Sequence, residues 1–320
     1  MGRPARSAIA LVLFVALAAS AQTRSPEQRA IDYLIEAVSR WPAENGCFSC
    51  HNNADAVRAL YIASKFPDLK FNADVLGETE QWLSEPSKWK EQGVDAGFRD
   101  TKLAVLQFSA ALALGVDSGR IAAEPLSFAA RLLAADQDSD GAWRIEGEAA
   151  SVGSPVTWGT ALATAMARFV LLQSGEERDA AAASRAESWL LAQEPTNVPE
   201  TAALLMNLDS SDTSEAREKR NEAVVYLLAA RTSAGVWGPY PKSPPEVFDT
   251  AVATMALSLY DGVPERRAVL EPARAYLLET QLAEGGWPET TRPSGFSSYA
   301  QHVSTSAWAT MALLALRAPK

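Results

Sequence analysis

Two cysteines and a histidine near the N-terminus form a group that could hold a redox cofactor. Residues 46–51 read G-C-F-S-C-H, and C-x-x-C-H is the attachment motif of c-type haem. Two thiols three positions apart can form thioethers with the haem vinyl groups, and the following imidazole can bind the iron. We predict a haem c held by Cys47, Cys50 and His51, with a Cys47–Cys50 disulfide or half of a zinc site as the alternatives.

The first residues are typical of a secretory signal peptide, which agrees with a haem attached outside the cytoplasm. Arg3 and Arg6 precede an apolar run over 8–19, and residues 19–21 read A-S-A, a small-residue cleavage site. The run is shorter than the ~20 residues that span a bilayer. We predict a signal peptide over 1–21 and an exported protein, periplasmic or secreted, with no membrane span after cleavage.

The composition predicts a globular chain that does not bind nucleic acid. Hydrophobic residues make up 48% of the 320 residues, enough for a sizeable core. With 29 Lys and Arg against 39 Asp and Glu, the net charge is -10, and no basic block could follow a phosphate backbone. We expect the protein to bind a redox partner or a small apolar ligand instead of nucleic acid.

A repeat organises the rest of the chain. Residues 137–143 and 281–287 share the pattern Q-x3-G-x-W, and residues 231–237 repeat it with Arg in place of Gln. Each copy follows an apolar helical segment and precedes a loop and a second helix with Thr near its start. First helices are predicted over 31–41, 74–83, 126–135, 183–193, 223–230 and 273–280, and second helices near 55, 100, 160, 200, 249 and 304.

Six repeats of about 50 residues predict one domain over 22–320, an all-α closed α6/α6 toroid. Residues 217–231 are amphipathic, as expected of an outer helix, whereas residues 248–260 are apolar nearly all round, as expected of an inner one. The repeated Gln is predicted to bind backbone groups of a neighbouring helix, with the Trp packed beneath it and the Gly permitting a close approach. A substrate pocket lined by these Trp residues is the alternative.

Ring closure gives the second histidine of the chain a predicted role. His51 precedes the first inner helix and His302 precedes the last, so a closed ring makes the two segments neighbours. We predict His302 as the second iron ligand, with Tyr299 or an open coordination position as alternatives.

The repeats resemble the QW motifs of the terpenoid cyclase and protein prenyltransferase group of α/α toroids, and most closely the squalene-hopene cyclases. Residues 304–314 look like the C-terminal helix of those cyclases. Residues 154–162 read S-P-V-T-W-G-T-A-L and resemble their S-P-V-W-D-T-A-L, with one residue inserted and Gly159 in place of Asp. The resemblance covers most of the mature chain and implies the toroid fold.

The family's active sites do not carry over with the fold. In the cyclases a D-x-D-D motif before T-A-V supplies the proton, whereas residues 246–252 here read E-V-F-D-T-A-V, which places Phe248 at the acid position. Glu246 and Asp249 remain weak acid candidates, and Asp249 is better explained as a helix N-cap, like Asp100 and Ser304. The cyclases it resembles also have two α domains, and this chain has room for one.

The sequence also lacks the residues that other activities of this group require. Prenyltransferase zinc needs an Asp, a Cys and a distant His spread over the chain, but both cysteines here lie near the N-terminus. The chain also lacks the G-C-G-E-Q of thioester-bearing toroids. We therefore predict an exported toroid with a single c-type haem that acts in redox or haem-dependent binding. The alternatives are an isoprenoid-processing enzyme that uses the toroid bore, and a structural or interaction toroid with a Cys47–Cys50 disulfide.

Overall fold

The computed structural model describes residues 24–89, 101–145, 159–208, 211–290 and 299–317, and these are helical, with no β-strand among them. The predicted signal peptide, Asp100 and the stretch 154–158 lie outside the described residues. So do the side chains of His51 and Tyr299.

Twelve α-helices lie in the described ranges, and they match the predicted first and second helices in order. The helices are α1 Pro26–Asn45, α2 Ala56–Ala63, α3 Gly77–Leu83, α4 Thr101–Asp117, α5 Glu124–Ala135, α6 Thr160–Ser174, α7 Glu177–Leu191, α8 Val198–Leu208, α9 Ser214–Ala230, α10 Val247–Leu259, α11 Arg266–Thr280 and α12 Tyr299–Arg317. A π-helical turn, Cys50–Asp55, precedes α2, and short 3-10 turns cover Ala73–Leu76 and Pro86–Lys88. No helix of the described part is both long and apolar enough to cross a membrane.

Burial separates the helices into an outer and an inner set. In α10, 11 of 13 residues are buried, whereas only 6 of 17 are buried in α9. This difference follows from the sequence, because the first half of α9 carries six charged residues whereas α10 is apolar apart from one Asp. The predicted contrast between a partly exposed outer helix and a buried inner helix is confirmed for this pair.

The even-numbered inner helices contact one another in sequence. Each of α2, α4, α6, α8 and α10 packs against the next, and α12 packs against both α10 and α2. The outer helices α5, α7, α9 and α11 each pack on the inner helix that precedes them. The last inner helix is therefore a neighbour of the first.

The repeated Gln joins neighbouring outer helices. Gln281 Nε2, after α11, donates to the Pro26 carbonyl oxygen at the start of α1 and to that of Gly285, both at 2.9 Å. Gly285 has a φ of 102°, and a Cβ at this position would clash with the Arg29 carbonyl oxygen. Gln137 makes the equivalent bond, 2.9 Å long, to the carbonyl oxygen of Ala182 in α7.

The repeated Trp satisfies a backbone group at the end of its own outer helix. The indole nitrogens of Trp143, Trp237 and Trp287 donate to carbonyl oxygens ten positions earlier, at 2.9, 2.7 and 2.7 Å. These acceptors belong to the last four residues of their helices, whose carbonyls have no partner within the helix. All three indoles are buried, so they act in the core and do not line an open pocket. The structural role predicted for the repeat is the one observed.

Candidate functional site

A network of four buried polar side chains lies where the first and last inner helices meet. Asp55, at the end of the π-helical turn, accepts hydrogen bonds from Arg58 Nη1 at 3.1 Å and Gln107 Nε2 at 3.1 Å. Ser304 Oγ of α12 donates to the same carboxylate at 2.5 Å. Asp55, Gln107, Ser304 and Arg58 are all at most 4% exposed. We call these four residues the Asp55 network; it links α2, α4 and α12.

Arg58 extends from the network to further inner helices. Its guanidinium carbon lies 4.9 Å from the centre of the Trp308 ring, and Nη2 lies 3.7 Å from the sulfur of Met166 in α6. Burial lowers the pKa of Arg58 from its ordinary value, and the nearby Asp55 carboxylate acts against that shift. Phe248 packs edge-on against Trp308 with ring centres 5.7 Å apart. Side chains of α2, α6, α10 and α12 therefore contact one another at this place.

The C-x-x-C-H segment begins where α1 ends. Gly46 has a φ of 64° and closes α1 in the left-handed conformation, so Cys47 leaves the helix. Both cysteines are thiols in the structure and are partly buried. Phe48, between them, stacks on Trp82 of α3 with ring centres 5.1 Å apart. Cys47 thus lies on a short loop and Cys50 at the start of the π-helical turn, next to a ring that packs against the core.

Two residues around the second cysteine fix the conformation of this loop. Ser49 N donates to Asn53 Oδ1 at 2.9 Å, and Asn53 Nδ2 donates to the Val38 carbonyl oxygen and to Thr79 Oγ1, both at 3.1 Å. Asn53 is fully buried. A π-helical turn is a rare conformation often found at functional sites. His51 lies in this turn. The first inner helix, predicted to begin near residue 55, follows the turn and begins at Ala56.

His302 lies inside α12 and does not precede it. The predicted start near residue 304 is wrong because α12 begins at Tyr299, so Ser304 is an interior residue that donates to Asp55 and is no N-cap. The His302 ring packs against Tyr33 of α1 with centres 5.5 Å apart. Its Nε2 is buried without a hydrogen-bond partner among the described residues, next to Gly286, where a Cβ would lie 3.1 Å from it.

The two weak acid candidates lie at the start of α10. Glu246 is the N-cap residue, although its side chain makes no capping hydrogen bond, and Asp249 is fully buried in the first turn. The N-cap role predicted for Asp249 is therefore wrong by three positions, because the helix begins earlier than the Thr250 signal indicated. Phe248, at the expected acid position, is fully buried, and its amide donates to Thr290 Oγ1 at 3.2 Å.

No three His, Cys, Asp or Glu side chains within the described ranges lie close enough together to hold a metal ion. The group that the structure does bring together, the Asp55 network, was not predicted. Its signal was nevertheless in the sequence: Asp55 and Arg58 are charged residues three positions apart on a helix that is otherwise apolar. Charges on an inner helix are buried and must be paired.

No protein-family model and no curated protein matches the sequence. Solved structures share the fold. A variant of the type II terpene cyclase MstE from Scytonema, in complex with geranylgeranyl dihydroxybenzoate, aligns with a TM-score of 0.60 at 16% identity, over 91% of this chain and 97% of that one. A protein from Actinoplanes aligns with a TM-score of 0.53 at 16% identity, over 91% and 99% of the two chains. A polysaccharide lyase aligns with a TM-score of 0.56 at 14% identity, over 92% and 98%.

These similarities establish an all-helical, terpene-cyclase-like fold. They also correct the argument from size. Because 91% of this chain covers 97% of the MstE chain, a terpene cyclase of about this length exists. The length of the chain is thus no objection to a cyclase, although residue 248 remains Phe where the resemblance expects an acid.

Proposed function

We propose that the protein is an exported haem c protein built on a closed α6/α6 toroid of six helix pairs. The closed ring is supported by the contact of α12 with α2 and by the Gln281 bond to the first residue of α1. Export is supported by the signal-peptide pattern over 1–21 and places the cysteines in a compartment where haem c is attached.

The observation that carries the haem assignment is the C-x-x-C-H motif at the junction of α1 and the π-helical turn. Cys47 and Cys50 would add their S–H groups across the two haem vinyl bonds, and His51 would bind the iron. The residues present fit such a group. The two partly buried thiols flank the start of the π-helical turn, and a neighbouring helix carries a buried imidazole nitrogen that has no hydrogen-bond partner among the described residues. His302, on that helix, is the proposed second ligand.

When bound, the haem would supply one-electron redox chemistry or an iron that takes a small ligand. The chain's own residues would then orient it. The Asp55 network fixes the π-helical turn that carries His51 against α12, which carries His302. The Phe48–Trp82 stack keeps the loop between the cysteines in one position. A redox partner would approach the protein at this loop.

Covalent haem is tested by making the full chain with a c-type haem maturation system. After denaturing electrophoresis, the wild-type band should keep a haem stain, and the Cys47→Ala, Cys50→Ala double variant should lose it. Phe128→Ala, a change at an exposed aromatic residue on α5, is the control that should keep the stain. An unstained wild-type band whose two cysteines do not react with a thiol reagent until reduced would favour the disulfide alternative.

The similarity to MstE favours a second candidate, an isoprenoid-processing enzyme that uses the bore. Against it stand Phe248 at the acid position and the packing of Trp308, Phe248 and Arg58 between the inner helices. Incubation with squalene and with shorter polyprenes should leave these compounds unchanged. Cyclic products that disappear in Glu246→Gln or Asp249→Asn would establish the second candidate instead.

A further inference from the structure

The fourth repeat lacks the loop tryptophan that the third, fifth and sixth repeats carry. Counting six positions from the conserved Gln gives Trp143 and Trp287, and the same count from Arg231 gives Trp237. From Gln193 it gives Pro199, which already belongs to α8. No indole from this loop can therefore pack beneath the end of α7.

A compensating change lies on the outer helix itself. The residue whose carbonyl accepts the indole hydrogen bond is Leu in the three sister repeats, at positions 133, 227 and 277. The equivalent residue in α7 is Trp189, and Gln193 Nε2 donates to its carbonyl oxygen at 2.9 Å. The carbonyl of Trp189 thus has a hydrogen-bond donor, and the tryptophan of this repeat lies on the outer helix instead of in the loop.

A cavity of about 360 Å³ opens beside this substitution. Trp189 and Gln193 form part of its wall, together with Arg144 after α5, Thr160 at the start of α6, and the carboxylates of Glu194 and Glu200. The volume lies at the lower end of the roughly 300–1,000 Å³ typical of small-molecule sites.

We propose that this cavity binds a carbohydrate of one or two sugar rings. An indole face packs against the apolar C–H face of a sugar, while carboxylates, amides, hydroxyls and guanidinium groups bind its hydroxyls. Trp189 supplies the aromatic face and is partly exposed. Glu200 is held in place, because its Oε2 accepts the Thr196 amide at 3.2 Å.

The charges of the lining favour a neutral ligand rich in hydroxyl groups. Arg144 opposes a bound ammonium ion, and it is fixed by ion pairs to Asp138 and Asp140 at 3.1 and 2.6 Å. Glu200 opposes a phosphate or another anion, and so does Glu194, whose Oε1 lies 3.5 Å from Lys219 Nζ. A neutral sugar avoids both repulsions and uses donors and acceptors of both kinds. The proposal is independent of the haem and of the bore.

Isothermal titration calorimetry of the full chain with cellobiose and N-acetylglucosamine tests the site, with choline chloride and inorganic phosphate as competing chemistries. One of the two sugars should bind with a Kd on the order of 1 mM, as expected for a ligand of this size. Trp189→Leu, which installs the residue of the sister repeats, should weaken binding at least ~10-fold. Trp41→Leu removes a partly exposed indole from α1 and should leave the Kd unchanged.

A second variant separates loss of the site from loss of the fold. The Glu194 side chain is 92% exposed, so Glu194→Gln cannot disturb the core, and it should weaken sugar binding several-fold. The proposal is overturned if neither sugar binds the wild type, if Trp189→Leu binds as tightly as wild type, or if choline or phosphate binds in place of the sugars.

Discussion

Asp55→Asn removes the charge at the centre of the Asp55 network and leaves the side-chain volume nearly unchanged. Asp55 and Arg58 are 0% and 3% exposed, so the substitution removes the Asp55 carboxylate from the buried Arg58 charge. Removing one partner of a buried ion pair costs about 3–5 kcal/mol. Since domains are stable by roughly 5–15 kcal/mol, the free energy of unfolding should fall by a large fraction.

Urea denaturation followed by circular dichroism measures this loss in Asp55→Asn, in Arg58→Met and in the double variant. Removing both charges avoids the unpaired ion, so the double variant should be more stable than the sum of the single losses predicts, by about 0.5–3 kcal/mol. Asp68→Asn, which breaks an exposed ion pair to Arg317, is the matched control and should leave the midpoint unchanged. A loss below about 1 kcal/mol in Asp55→Asn would refute the buried network.

Three further predictions follow from single contacts. Gly285→Ala should destabilise the protein by more than about 1 kcal/mol, because of its φ of 102°. Gly77 has a helical φ of -54° and open space around it, so Gly77→Ala should stabilise the protein by about 0.4–1 kcal/mol in the same denaturation assay. Burial acts to raise the pKa of Glu187, but hydrogen bonds from Ser211 and Arg168 outweigh it, and the pKa lies below its ordinary value of 4.5. The ionised Glu187 therefore stabilises the fold fully above pH 4.5, and this stabilisation is lost as the pH falls below it. Glu187→Gln should make the free energy of unfolding less dependent on acid pH. In the haem-loaded protein, His302→Ala should keep the haem attached and change a low-spin absorption spectrum to a high-spin one; an unchanged spectrum would exclude His302 as a ligand.

Local patterns in the sequence predict the helices and the contacts of the repeat. The positions of Gln, Gly and Trp in residues 281–287 indicate a turn between two helices, and the structure adds the partner of each side chain. The inner or outer position of α9 and α10 follows from their charge distribution alone. These features depend on residues that are close together in the chain, so the sequence alone is enough to predict them.

Features that depend on distant residues could not be predicted. Gln107 and Ser304 approach Asp55 from positions 52 and 249 residues away, and no local pattern connects them. The start of α12 is missed for a related reason: Thr and Ser at 304–306 resemble a helix start, but tertiary packing extends the helix back to Tyr299. In the fourth repeat, the sequence shows that the loop tryptophan is missing, but only the structure shows the cavity beside Trp189.

We propose above that Cys47, Cys50 and His51 hold one haem. A pyridine haemochrome spectrum of the full chain, purified after expression with a c-type maturation system, tests it most directly. We expect the absorption band of haem with two saturated thioether links, at one haem per chain, retained after extraction with acidified organic solvent. Haem that is removed by the extraction, or no haem at all, would contradict it.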